Sequence, residues 1–148
     1  MSQKIKIVIV EDDVDLVEAL RIILESKSYE VSVAYDLVTG LSKIRSERPD
    51  LIVLDVMFSK GEKKMGFHLA NEIRMDKAIA SIPILMLTAL NNELPGFNVS
   101  PETDGEYLPV DAFLNKPAEP KAFLSKVGEL LKLKTSPWAK WPEKTPVK

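Results

Sequence analysis

The chain has 148 residues, 45% of them hydrophobic and 28% charged, with a formal net charge of −2 and no cysteine. That length suits one domain with a real core and leaves no room for a second of useful size, while the weak charge gives no electrostatic reason to expect nucleic acid or a membrane as partner. Without cysteine there is neither a disulfide framework nor a thiolate metal site; Met1-Ser2-Gln3-Lys4 leads into a strand-like run instead of a signal peptide, and a cytoplasmic protein is expected.

Ile5 to Val10 reads as a buried strand that ends in the acidic cluster Glu11-Asp12-Asp13. Val14, Val17, Leu20, Ile23 and Leu24 then recur at helical spacing, with acidic residues toward the start where the helix dipole favours them. Val31 and Val33 mark a second strand, and Leu37, Leu41 and Ile44 form the stripe of a second helix that ends before Arg48-Pro49. A third apolar strand, Leu51-Ile52-Val53-Leu54, ends at Asp55. After a polar loop, Ser59 to Lys64, the spacing of Leu69, Ala70 and Ile73 predicts a third helix. Pro83 to Leu87 is apolar throughout and reads as a buried fourth strand with Thr88 at its end. Residues 111 to 115 give a short fifth strand, and Phe123, Leu124, Val127, Leu130 and Leu131 a last amphipathic helix. Such alternation is the pattern of a parallel sheet covered by helices on both faces.

The stretch from Asn91 to Val110 breaks the pattern. Pro95, Pro101 and Pro109 with Gly96 and Gly105 leave no run of helical period, so the fourth helix is expected to be reduced or lost. From about residue 133 a tail begins, with Trp138 and Trp141 among proline and lysine. The domain is thus placed at 1–132 and the tail at 133–148, with no output domain. Loose packing is expected of the tail; folding back on the domain and docking to a partner are the alternatives.

If the first and third strands are parallel neighbours, three or four carboxylates meet at one sheet edge. Two unit charges about 4 Å apart repel by roughly 4 kcal/mol at an effective dielectric near 20, so the cluster must be protonated, held apart or bridged by a cation. Magnesium, which takes a few carboxylate oxygens together with water and phosphate, fits this donor set.

Four separated motifs agree in order: Glu11-Asp12-Asp13 after Ile-Val-Ile-Val, Asp55 after Leu-Ile-Val-Leu, Thr88 after Ile-Leu-Met-Leu, and Lys116 in Phe113-Leu-Asn-Lys116-Pro117. Over about residues 4 to 132 the chain resembles the receiver domain of two-component response regulators. The resemblance implies a doubly wound, flavodoxin-like sheet of five parallel strands in the order 2-1-3-4-5, with its functional edge at the carboxyl ends of the strands. It also implies that Asp55 accepts a phosphoryl group and that Glu11, Asp12, Asp55 and the carbonyl of Met57 hold Mg2+. Lys116 and Thr88 would contact the phosphoryl oxygens, and Phe113 would be the aromatic switch that moves inward as Thr88 is drawn to the phosphate. Asp13 is placed as a neighbour of the metal, with a register that pairs Asp12 and Asp13 as the alternative.

The implied function is that of a single-domain response regulator. It receives its phosphoryl group from a histidine kinase or histidine phosphotransfer protein, and it signals by contact with a protein target the sequence does not name. Such a protein is not an enzyme in its own right; it catalyses only its own phosphorylation and dephosphorylation. The alternative from another class is a receiver-like interaction scaffold that is never phosphorylated, against which Asp55, Thr88 and Lys116 weigh. A phosphatase would want a second aspartate at Met57, and a flavin carrier a phosphate loop where the carboxylates stand. Neither nucleic acid nor membrane is expected as a partner.

Taken singly, each feature has a plainer account: a solvated acidic loop, a threonine cap, a surface lysine, a core phenylalanine. Their joint placement is what carries the reading. His68 lies off the apolar stripe of its helix and is expected to be exposed and without a role. Ser59 stands where the family commonly has proline, and the stretch from Thr88 to Lys116 is longer than usual, so any output is expected to run through a remodelled 91–110 loop. Met57 and Leu90, two positions after Asp55 and Thr88, offer no polar group to place a hydrolytic water, so a long-lived phosphoryl group is expected.

Overall fold

The computed structural model describes residues 4–55, 64–88, 97–98, 106–107, 110–115 and 119–133. In chain order the elements are β1 (Lys6–Val10), α1 (Val14–Glu25), β2 (Glu30–Ala34), α2 (Leu37–Glu47), β3 (Leu51–Asp55), α3 (Lys64–Met75), β4 (Ile84–Thr88), β5 (Phe97–Asn98), β6 (Glu106–Tyr107), β7 (Ala112–Asn115) and α4 (Pro120–Leu131).

Five strands form one sheet in the order β2-β1-β3-β4-β7, every neighbouring pair parallel. With β7 as the fifth sheet strand, this is the expected 2-1-3-4-5 order. All of β3 and four of the five residues of β1 are buried, which explains why both read as continuous apolar runs instead of alternating ones. The two-residue period sorts them onto two faces. Val8, Val10, Ile52, Leu54, Ile84 and Met86 pack with Ile44 of α2 and with Leu69, Ala70 and Ile73 of α3. Ile7, Ile9, Leu51, Val53, Leu85 and Leu87 pack with α1 and with Phe123, Val127 and Leu130 of α4.

Local signals set the helix ends. Asp13 caps α1 by accepting from the Leu16 N–H at 3.1 Å. Asp36 caps α2, accepting from the Thr39 N–H at 2.7 Å and its hydroxyl at 2.9 Å. α2 stops at Arg48, whose φ of 48° is left-handed and whose N–H returns to the Ile44 carbonyl; Pro49 follows. Gly40 lets α2 approach β1 closely, since a Cβ there would lie 2.9 Å from both γ-carbons of Val10.

Between β4 and β7, the described residues hold no helix. They hold β5 and β6, two residues each, paired in parallel. Apart from these and Val110, the proline-rich 91–110 stretch lies outside the described residues, as do most of the 59–64 loop and the tail from residue 134. β7 begins one residue later than expected, at Ala112; Asp111 donates its N–H to the Ile84 carbonyl at 2.9 Å and directs its carboxylate to Arg74 and to the Ile84 N–H.

Candidate functional site

Parallel register builds the site. Val10 of β1 is paired with Leu54 of β3, so the next positions on the two strands are Glu11 and Asp55. The Glu11 N–H continues the ladder to the Ala34 carbonyl at 3.0 Å, which holds the acidic turn in line with the sheet. Carboxylate oxygens of Glu11, Asp12 and Asp55 then lie within 4.8 Å of one another. Glu11 and Asp55 are 1% and 2% exposed, while Asp12 faces solvent. Two nearly buried carboxylates beside a third, open one make a site that a hard cation can enter from one side, keeping part of its own water. The donor set is all oxygen, as magnesium requires.

Asp13 does not join this group among the described residues. Its carboxylate is committed to the α1 cap, and its N–H donates to Glu11 Oε2 at 3.1 Å, which orients the Glu11 side chain. The arrangement favours the register with Glu11 and Asp12, not Asp13, beside Asp55.

On the other side of Asp55, β4 pairs Leu87 with Asp55, so that Thr88 lies one position further along the same edge, opposite Asn115 of β7. Lys116 follows Asn115 directly in the chain; it and Met57 lie outside the described residues. Phe113 is half-buried, paired with Met86, and packs against the core on the α2 and α3 side, while Ala112 and Leu114 face the α1 and α4 side. His68 is exposed, as its position off the stripe implied.

The sequence reading missed what anchors β7. Arg74 is buried on α3, four residues after Ala70 and one after Ile73, and so on the apolar stripe; a charge at that register was the available signal. Its Nη1 donates to the carbonyls of Ala80 and Ile82 at 3.0 and 2.6 Å, and its Nη2 donates to Asp111 Oδ2 at 2.7 Å. Burial, opposed by the Asp111 charge, brings the guanidinium down to about 10, which leaves it charged at neutral pH. The same Asp111 oxygen accepts from the Ile84 N–H at 2.8 Å, tying the starts of β4 and β7 together.

The sequence matches the family described as the response regulator receiver domain over residues 7–127. It is 33% identical over 130 residues to RpaA of Synechocystis sp., described as a DNA-binding dual master transcriptional regulator; the match covers 86% of this chain and 49% of that one. It is 35% identical over 127 residues to PhoP of Bacillus subtilis, an alkaline phosphatase synthesis transcriptional regulatory protein, covering 86% of this chain and 48% of the relative. The chain therefore spans about half the length of these curated relatives. Among solved structures, the CheY-like receiver domain protein of Methanospirillum hungatei superposes with a TM-score of 0.71 at 25% identity, covering 89% of this chain and 97% of that one. Chemotaxis response regulator CheY4 of Vibrio cholerae gives 0.70 at 27% identity, covering 86% and 99%.

Proposed function

The chain belongs to the response regulator receiver family, and on that premise we propose that Asp55 takes a phosphoryl group from the phosphohistidine of a histidine kinase or phosphotransfer protein. The observation that carries this reading is the convergence of Glu11, Asp12 and Asp55 at the carboxyl ends of β1 and β3.

An Asp55 carboxylate oxygen forms a bond to phosphorus as the bond to the donor imidazole nitrogen breaks; the imidazole leaves with the electron pair and the product is an acyl phosphate. Little covalent chemistry is asked of the protein beyond alignment and charge compensation. Glu11, Asp12, Asp55 and the Met57 carbonyl would hold magnesium, which when bound supplies positive charge against the transferring oxygens. Lys116 serves as the second cation, a compact ammonium on a long stem suited to reach across from the end of β7. Thr88 offers a hydroxyl to a phosphoryl oxygen.

Signal output follows from the same elements. Thr88 ends β4 and Phe113 sits in the neighbouring strand, so drawing the threonine toward phosphate changes the space into which Phe113 packs. Phenylalanine has no hydroxyl to bond at the surface, and its part in the switch is packing alone. In this reading the domain catalyses only its own phosphorylation and dephosphorylation, and the change around Phe113 passes the signal on by protein contact.

The test is intact mass after incubation with magnesium and a small-molecule phosphodonor. One added phosphate, lost in Asp55→Asn and without magnesium, supports the reading. Absence of an adduct under conditions that label an established receiver overturns it in favour of the unphosphorylated scaffold.

A further inference from the structure

Asp13 links α1 to the carboxylates of the site. Its Oδ1 accepts from the Leu16 N–H at 3.1 Å and its carbonyl from the Val17 N–H at 2.9 Å, so side chain and backbone are both tied to the first turn of α1. Its φ of −83° and ψ of 103° are the extended values that an N-cap takes. Held in that conformation, the residue turns its own N–H back to Glu11 and donates to Oε2 at 3.1 Å. Glu11 is buried beside Asp55, whereas Asp13 is open to solvent.

We propose that Asp13 is a positioning residue for the cation and acts through Glu11: the capping bond fixes the backbone whose N–H keeps the Glu11 carboxylate turned toward Asp12 and Asp55. This inference rests on the cation-assisted reading of the site given above. The ladder bond from the Glu11 N–H to the Ala34 carbonyl fixes the backbone of Glu11 but leaves its side chain to be placed by other means. That side chain is the longest of the three that converge, and ordering a long side chain at the moment of binding costs affinity unless it is ordered beforehand. Repulsion among carboxylates within 4.8 Å of one another also drives Glu11 away from the other two before any ion arrives. A donor on Oε2 opposes both effects, as the hydrogen-bond partners of metal ligands commonly do. The negative charge of Asp13 plays no part in this role. Any side chain that caps α1 with an oxygen should serve, which separates positioning from ligation.

The test is the magnesium affinity of the full, unphosphorylated chain, by calorimetric titration at physiological salt. Asp13→Ala should bind magnesium about tenfold more weakly than the natural protein. That is the low end of what loss of an outer-shell partner does, because the N–H remains and only its aim is loosened. Asp13→Asn and Asp13→Ser restore a capping oxygen without the charge and should return the affinity to within about twofold. Asp76→Ala removes the acceptor of Arg45 and of the Ala78 N–H ahead of β4, so it lowers stability from the opposite edge of the sheet and should leave the affinity as it is. Unchanged affinity in Asp13→Ala overturns the inference. Equal weakening in the alanine, asparagine and serine variants overturns it by making the charge of Asp13 the cause, and equal weakening in Asp76→Ala by making general stability the cause. A natural protein that binds no magnesium, or binds it as well after Asp55→Asn, overturns the cation site itself and the inference with it, a result distinct from the other three.

Discussion

Arg74 Nη2 lies 2.7 Å from Asp111 Oδ2, with the two side chains 0% and 2% exposed, and this buried pair joins α3 to the residue before β7. It sits at the far end of the strand from Lys116, yet it helps set the register in which Phe113 and Asn115 lie beside Met86 and Thr88. An edge strand of four residues has few ladder bonds of its own, so the side-chain clamp supplies part of its anchorage.

Removing one partner leaves the other charged and buried, which typically costs about 3–5 kcal/mol. Asp111→Ala should therefore lower unfolding stability by about that much and Arg74→Met by somewhat less, since the methionine refills the apolar space, although it leaves the Ala80 and Ile82 carbonyls short of a donor. In the double variant the two losses should add to well under their sum. Urea midpoints for the four proteins measure this; strict additivity would show that the pair is not coupled.

The positions of nine of the eleven elements were legible from strand and helix periodicity, whereas the sheet order 2-1-3-4-5, and with it Glu11 beside Asp55, came from the family resemblance that the four motifs carry. The element positions are properties of local pattern, and a parallel sheet follows from them on one assumption, that alternating strands and helices wind one. Arg74 was not legible, because an arginine on an apolar stripe declares burial only when the carbonyls of Ala80 and Ile82 and the carboxylate of Asp111 are brought around it from later in the chain. The same holds for Gly40, whose reason is Val10, thirty residues earlier. The β5–β6 pair escaped too, since two-residue strands carry no period to read.

Charge repulsion predicts that the acidic site opposes folding when no cation is present. Carboxylate oxygens within 4.8 Å of one another repel by roughly 3 kcal/mol per pair at an effective dielectric near 20. Asp55→Asn should raise stability in a chelator by about 1–3 kcal/mol, because it relieves this repulsion between nearly buried groups. Magnesium should stabilise the natural protein in a concentration-dependent way and the variant hardly at all. Thermal melts across a magnesium titration decide it; an equal shift in both proteins would place the ion elsewhere.

Gly40→Ala sets two effects of opposite sign against each other. Alanine favours a helix interior over glycine by about 1 kcal/mol, but its Cβ would stand 2.9 Å from two methyl carbons of the buried Val10. Valine is stiff about χ1 and cannot turn both methyls away, and overpacking of this kind costs about 1–3 kcal/mol. A net loss of up to about 2 kcal/mol is expected. Val10 precedes Glu11, so magnesium affinity should fall as well, and calorimetric titration would detect it; unchanged stability and affinity would show that α2 can shift freely.

Two carboxylates are held below their ordinary value of 3.8: Asp36 by bonds from the Thr39 N–H and hydroxyl, and Asp76 chiefly by the Arg45 guanidinium and the Ala78 N–H. A depressed carboxylate stabilises the fold fully above the unfolded value and loses that contribution as pH falls through the folded one. Stability should thus be flat in this respect down to about pH 5 and decline below about pH 4. Replacing Asp36 or Asp76 by alanine should flatten the decline while lowering stability at neutral pH. The Asp76–Arg45 pair is partly open to solvent, so its share of the effect should shrink in high salt, while that of Asp36, which rests on hydrogen bonds from Thr39, should not. Denaturation midpoints from pH 7 to pH 3 at two salt concentrations provide the measurement, and an undiminished acid slope in both variants would assign the loss to other groups.

The lifetime of the phosphoryl group follows from what stands two residues after Asp55 and Thr88. Met57 and Leu90 offer neither donor nor acceptor to hold a water in line with phosphorus. Hydrolysis then relies on unpositioned water, and the acyl phosphate should last minutes or longer under native conditions. Met57→Asn introduces an amide able to bind such a water and should speed loss of phosphate on the order of tenfold, short of the ~10²–10⁴ of a well-placed general base. Following the phosphorylated mass over time in the natural protein and the variant, with magnesium present, separates the outcomes. Loss within seconds in the natural protein would mean that another group positions the water; equal rates in the two proteins would mean that position 57 does not reach it.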